Sequence, residues 1–209
     1  GANYQFSNRL TGAAAADLIG YRLGGTGGGS PRQASDFSII NNRLSAAARI
    51  DGNGRFEFTS DGSSGYDFGS FLAGRNYELS VALNIPTIGA SSQRLSLSLS
   101  DASNGAVSSV SLGVQIGSDG AGGLRVFKRI AAGSSSGGSA VNTQIATGLP
   151  IGTPVNLTVR VTDYNANVTN YDSTFEILVN GTNVNSGTFR FNNSTTARYL
   201  IFDVAAHES

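Results

Sequence analysis

Very few side chains in this protein are equipped for chemistry. The 209 residues include four glutamates (Glu57, Glu78, Glu176 and Glu208), a single lysine (Lys128), a single histidine (His207), and no cysteine or tryptophan. Glycoside cleavage by acid–base chemistry needs two carboxyl groups about 5–10 Å apart across the scissile bond. One strand can present such a pair at i and i+2, yet no glutamate has an acid at that spacing. Neighbouring strands can also present one, so Glu78, Glu176 and Asp203 are the acids that strand order would have to gather. Asp51-Gly-Asn-Gly-Arg-Phe-Glu57 comes nearest to a local pair, but Asp51–Gly54 reads as a turn before a strand.

Other constellations fail on counting. A Ser-His-Asp triad would need His207 as its base, but His207 is the third residue from the end and no G-x-S-x-G elbow exists. Without cysteine there is no thiolate nucleophile, zinc-thiolate site or disulfide framework. Oxygen ligation of a calcium ion stays open: Asp163-x-Asn165-x-Asn167 has the spacing that starts such a loop, without its glycine or closing glutamate. No other cofactor is expected. Gly24–Ser30 is glycine-rich, but no Gly-Lys-Ser/Thr follows, so it is not a phosphate loop. The N-x-S/T sequons at Asn156, Asn167, Asn180, Asn192 and Asn193 fit an Asn/Thr-rich composition. The residues left for ligand binding are Arg55, Glu57, Arg125, Tyr164 and Tyr171. An arginine fork can take a uronate carboxylate through two hydrogen bonds. Tyr164 and Tyr171 flank a polar loop, where aromatic faces can stack on sugar rings.

The bulk composition narrows the partners. Charged residues make up 13% of the chain and the formal net charge is zero. No overall field therefore attracts nucleic acid or an anionic membrane, and no apolar run approaches the roughly 18 residues of a membrane span. Low charge with abundant Ser, Thr, Asn and Gly leads us to expect a secreted or cell-surface protein, its leader already removed.

The elements that would position these residues show period-2 alternation. Tyr77–Asn84, Arg94–Ser100 and Pro154–Tyr164 each place apolar side chains on one face and Ser, Thr, Asn or Arg on the other. Further strands are expected at Arg55–Phe58, Ala106–Ile116, Leu124–Ala131, Val141–Thr147, Thr174–Asn180, Asn183–Phe191 and Arg198–Ala205. Asn180-Gly181 signals a hairpin whose two central residues need positive φ. About ten short strands between turn residues predict an all-β antiparallel sandwich or jelly roll. One short helix is expected over Thr11–Leu18, and flexible loops at Gly24–Ser30 and Gly133–Ser139. We expect one domain over residues 1–209, with residues 1–50 wrapping a strand, the helix and a glycine-rich loop around the sandwich.

Gly152-Thr-Pro-Val-Asn-Leu-Thr-Val-Arg-Val-Thr162, followed by Tyr171-Asp-Ser-Thr-Phe-Glu-Ile-Leu-Val-Asn-Gly-Thr182, resembles a strand pair of the concanavalin A-like lectin/glucanase superfamily, laminin G-like jelly rolls included. There a G-x-P/W-x-x-L/V-x-V strand precedes one ending in V-N-G. The resemblance covers residues 50–205 and implies two curved antiparallel sheets with ligands on the concave face. The terminal RYLIFDVAAHES also resembles endings of some large bacterial surface-exported proteins. Catalytic branches of the superfamily carry signatures that this chain lacks. No E-x-D-x-x-E is present. Gly117 follows Gln115-Ile116 where alginate-lyase-like members have histidine. Val126-Phe-Lys-Arg-Ile130 is only faintly similar to their Y-F-K-A-G-x-Y strand and lacks its tyrosine.

The resemblance and the missing acid–base groups together lead us to expect a non-catalytic glycan-binding or adhesion module with a polysaccharide partner. The alternatives are a polysaccharide lyase or glycoside hydrolase of this fold, and a purely structural surface domain. The sequence leaves the oligomeric state open.

Overall fold

The computed structural model describes residues 21–24, 37–40, 43–46, 55–58, 66–67, 76–88, 94–100, 110–131, 140–165, 169–192 and 199–205. Fourteen strands occur among them, and no helix. The first five are short: β1 (Tyr21–Gly24), β2 (Phe37–Ile40), β3 (Arg43–Ala46), β4 (Arg55–Phe58) and β5 (Tyr66–Asp67). The others are β6 (Tyr77–Leu83), β7 (Arg94–Ser100), β8 (Val110–Ser118), β9 (Leu124–Ala131), β10 (Ala140–Leu149), β11 (Val155–Asp163), β12 (Ser173–Val179), β13 (Thr182–Phe189) and β14 (Tyr199–Ala205). Every strand expected from alternation is present, with ends moved by a few residues. β8 is described from Val110, and the expected strand residues 106–109 lie outside the described residues. The sequence reading expected one strand within residues 1–50 without placing it, and gave no positions for β1, β2, β3 and β5. The expected helix, most of both glycine-rich loops, Asp51–Gly54, Asn167 and His207 lie outside the described residues.

Two sheets dominate. One has six strands in the order β10-β9-β8-β7-β14-β5, the other four in the order β13-β12-β11-β6. All the strand pairs are antiparallel, including the small pairs β1-β4 and β2-β3. The core lies between the two large sheets, as the alternation requires. Leu97, Leu99, Leu112, Val114, Ile116, Leu124 and Val126 of the six-stranded sheet meet Val155, Leu157, Val159, Val161, Phe175, Ile177 and Val179 of the other. The β12–β13 turn has the positive φ values that Asn-Gly supplies, 51° at Asn180 and 80° at Gly181. It is tied down because Asn180 Oδ1 accepts from the backbone N–H of Asn156 at 2.9 Å.

A chain of aromatic rings closes one end of the sandwich. Phe175, Phe189, Phe191, Tyr164 and Tyr77 stack edge-to-face or tilted in succession, at centroid distances of 5.5–6.3 Å, a geometry that aromatic quadrupoles favour. Beyond β13 the chain crosses towards the other sheet. There the Asn192 backbone N–H donates to Ser111 Oγ at 3.0 Å, and Asn192 Nδ2 to the Val110 carbonyl at 3.3 Å.

One expectation of alternation needs correcting. The serine face of β7 was expected to be open to water, but Ser96, Ser98 and Ser100 are all at most 4% exposed. All nine residues of β8 are likewise buried. Over β7 and β8 the polar face of the sheet is therefore about as dry as the apolar one.

Candidate functional site

The polar face of the six-stranded sheet is assembled by register. β8 and β9 form a hairpin in which Gly113 pairs with Arg129, Gln115 with Phe127 and Gly117 with Arg125. On the far side of β8, Ser96 pairs with Gln115 and Ser98 with Gly113. On the far side of β9, Asn142 pairs with Arg129 and Gln144 with Phe127. Alternation puts these residues on one face, away from the core. Each arginine of β9 lies opposite a glycine of β8. Between the arginines sit an amide, Gln115, and a ring, Phe127. Strands β7 to β10 contain no Asp or Glu; the nearest carboxylate by register is Asp203 of β14, opposite Ser96.

Arg125 is half-buried, and its guanidinium lies over the Phe127 ring at 4.8 Å from the centroid. Its Nε is buried without a hydrogen-bond partner. A desolvated cationic donor left unpaired is costly. Arg129 on the same face is only 5% exposed.

The β8–β9 turn fixes the hairpin. Asp119 Oδ1 accepts from the backbone N–H groups of Ala121 (2.7 Å) and Gly123 (2.9 Å), and Gly120 and Gly122 supply positive φ. These two bonds, aided by the charge of Arg125, hold the Asp119 carboxyl below its ordinary value of 3.8. A depressed carboxylate contributes its stability above the unfolded-state value and loses it as pH falls through the lower folded one. We expect the Asp119 carboxyl carbon to titrate by NMR with a midpoint below 3.8, while Asp119→Ala removes amide-exchange protection at Ala121 and Gly123. A midpoint above the ordinary value would contradict this account of the turn.

The sequence-derived candidates fall in different places. Arg125 belongs to the face just described. Arg55 and Glu57 lie on β4, opposite Gly24 and Arg22 of β1, and β4 runs beside β14. Tyr164 is half-buried in the aromatic chain between Tyr77 and Phe191. Tyr171 donates its hydroxyl to the Ala131 carbonyl at 2.9 Å and lies under the Arg190 guanidinium. Both tyrosine rings thus have packing partners at the sandwich end. In the calcium-like spacing, Asp163 ends β11 and Asn165 is tied through its backbone to Ser173 Oγ.

Of the acids that strand order had to gather, Glu78 and Glu176 do converge, flanking β11 on the outer face of the four-stranded sheet. Both bind Arg160, at 2.9 Å and 3.1 Å, in an exposed clasp across three strands. Asp203 is on the other sheet, at the register position of Ser96. Lys128 does not share the face of Arg125 and Arg129. It points between the sheets, where Nζ donates to Asn185 Oδ1 at 3.2 Å and lies 5.9 Å from the Phe175 ring centroid.

Gln115, Phe127 and Arg129 were missed as site residues. Their signal was present: Gly113-x-Gln115-x-Gly117, a five-residue Asp/Gly turn, then Arg125-x-Phe127-x-Arg129 is a hairpin whose alternate positions pair in reverse order, first with last.

No family model and no curated protein sequence matches the chain. Solved structures do. A variant of the alginate lyase Aly36B in complex with alginate tetrasaccharide superposes with a TM-score of 0.60 at 17% identity, over 98% of this chain and 86% of the lyase. The alginate lyase PA1167 from Pseudomonas aeruginosa gives 0.52 at 12% identity, over 83% and 76%. The Emp47p carbohydrate recognition domain gives 0.50 at 14%, over 99% and 100%. The fold is a concanavalin A-like jelly roll. At these identities the likeness is one of fold, and the similar jelly rolls include both enzymes and a recognition domain for carbohydrate.

Proposed function

We propose that this jelly roll is a secreted or cell-surface glycan-binding module, and that it holds an acidic polysaccharide along the polar face of its six-stranded sheet. The observation that carries this reading is Arg125: a half-buried guanidinium over the Phe127 ring, on strands β7 to β10, which themselves contain no Asp or Glu. A uronate carboxylate would pair with this guanidinium at the half-buried end of the face, where Arg125 and Phe127 lie. The similar alginate lyases and carbohydrate recognition domain support a glycan partner, and the lyases support an acidic one. They also favour a second reading, cleavage by β-elimination on the same face.

One binding experiment separates the readings. Wild-type protein and Arg125→Ala are passed over immobilised polyuronate and neutral glucan, and released products are followed by the absorbance of unsaturated uronate ends. Binding without cleavage predicts retention on polyuronate alone, weakened by Arg125→Ala about 10- to 100-fold, the scale of one charge-assisted hydrogen bond. Equal retention on neutral glucan, or an unaffected Arg125→Ala, would remove the acidic-glycan reading. Unsaturated ends that disappear in Arg125→Ala would establish the lyase instead.

A further inference from the structure

Exposure falls stepwise across the polar face of the six-stranded sheet. On β10, Asn142 and Gln144 are exposed; on β9, Arg125 and Phe127 are half-buried. Beyond them the face is dry. Gln115 is 5% exposed, Ser96 and Ser98 are buried beside it, and so are Gly113 and Gly117, opposite the two arginines. The wet strip is equally short along β9, because Arg129 is itself buried. At its other end stands the β8–β9 turn, where two backbone N–H groups and the charge of Arg125 keep Asp119 a carboxylate. A uronate moving past that turn meets a like charge. Among the described residues, the one wet and uncharged approach to Arg125 is therefore over β10. That strand has no charged residue. It pairs Asn142 with Arg129 and Gln144 with Phe127, so two exposed amides line the approach.

We infer that the site takes the end of an acidic glycan chain and not its interior: a terminal uronate reaches Arg125 across β10, and Gln144 and Asn142 bond hydroxyls of the sugars that follow. This rests on the reading of Arg125 given above, and adds the direction of entry and the point where the chain stops. An interior stretch passing Arg125 would have to leave over β8, where every residue is buried, or past Asp119. The first exit has no room for a hydrated sugar, and the second sets ionised carboxylates side by side. A chain end needs neither. Asn142 and Gln144 suit the entry side, since each amide offers a donor and an acceptor to sugar hydroxyls. Standing at i and i+2 on one strand face, they are about 7 Å apart along the strand.

The test is isothermal titration calorimetry of the full chain against a short and a long polyuronate of defined length, with stoichiometry read per glycan chain. The two ends of a glycan differ chemically, so the expected result is one protein per chain at both lengths. Gln144→Ala should weaken binding about 3- to 10-fold, the scale of a neutral hydrogen bond, and leave the circular dichroism unchanged. Asp119→Asn keeps an acceptor in the turn but removes the charge, and should tighten binding about two- to fivefold at low salt and less at high salt. Several proteins on each long chain, or an unaffected Gln144→Ala, would overturn the inference and leave the reading of Arg125 standing. No binding of either polyuronate would overturn both.

Discussion

Replacing Arg190 by alanine is expected to lower the melting temperature by about 10 °C or more, the largest effect of any single substitution considered. Arg190 is completely buried and is the bulkiest of the fully buried side chains. It follows β13, at the point where the chain leaves the four-stranded sheet for the other. Its Nη1 donates to the carbonyls of Phe191 at 3.1 Å and Asn192 at 3.2 Å, and its guanidinium covers the Tyr171 ring. Those carbonyls belong to the segment in which Phe191 enters the aromatic chain and Asn192 bonds to β8. Truncation therefore removes donors from two carbonyls and leaves a void over the Tyr171 ring. Each unsatisfied buried acceptor costs about 1–3 kcal/mol, with a cavity term added. Arg190→Lys keeps the charge but cannot present a planar fork, so it should fall between wild type and Arg190→Ala. Thermal unfolding followed by near-ultraviolet circular dichroism reports on the aromatic chain directly. A melting temperature for Arg190→Ala within about 2 °C of wild type would show that this residue does not join the sheets.

Gly113→Ala is expected to destabilise the protein by about 1–3 kcal/mol, opposite in sign to what an added methyl usually does in a strand. A Cβ at Gly113 would lie 2.8 Å from Ser98 Cβ, 3.1 Å from the Leu97 carbonyl oxygen and 3.2 Å from Ser98 Cα. None of these atoms is the end of a flexible side chain, so β7 and β8 would have to move apart in the middle of the six-stranded sheet. The same position lies opposite Arg129, so binding on the polar face should weaken together with stability. Gly187→Ala is the control: its Cβ would meet only the Phe175 ring, at 3.4 Å, and it should be neutral or slightly stabilising. Urea denaturation of Gly113→Ala, Ser98→Gly and the double variant closes a thermodynamic cycle. Partial rescue in the double variant is expected, because the closest clash is with Ser98 Cβ. No loss of stability in Gly113→Ala would show that the two strands are not held this close.

Much of the fold was legible in the amino-acid sequence because it depends on local rules. Side chains alternate across a strand, so RLSLSLS and VNLTVRV declare one apolar face each, and β7 and β11 appear within a residue or two of where that pattern ends. Asn180-Gly181 declares its turn because few other residue pairs accept two successive positive φ values. The scarcity of carboxylates and the single histidine were equally plain, since counting needs no coordinates.

What tertiary structure alone decided is which faces meet. Alternation gives each strand a polar face but cannot say whether water reaches it. The serines of β7 look like solvent residues in sequence, and the sandwich buries them. Strand order brings Glu78 and Glu176 to Arg160, one strand apart from each, although 98 residues of sequence numbering separate the two acids and no local spacing links them. Parity within β9 decides the roles of the cations: Lys128, between two arginines in sequence, turns inward to Asn185 while Arg125 shares the outer face with Phe127. Tyr164 and Tyr171 look in sequence like rings free to receive a sugar, and their packing on Tyr77, Phe191 and Arg190 follows only from how the chain crosses between the sheets. The physical reason is the same in each case. Period and turn chemistry act over a few residues, whereas burial and charge pairing depend on neighbours that the chain supplies from far away.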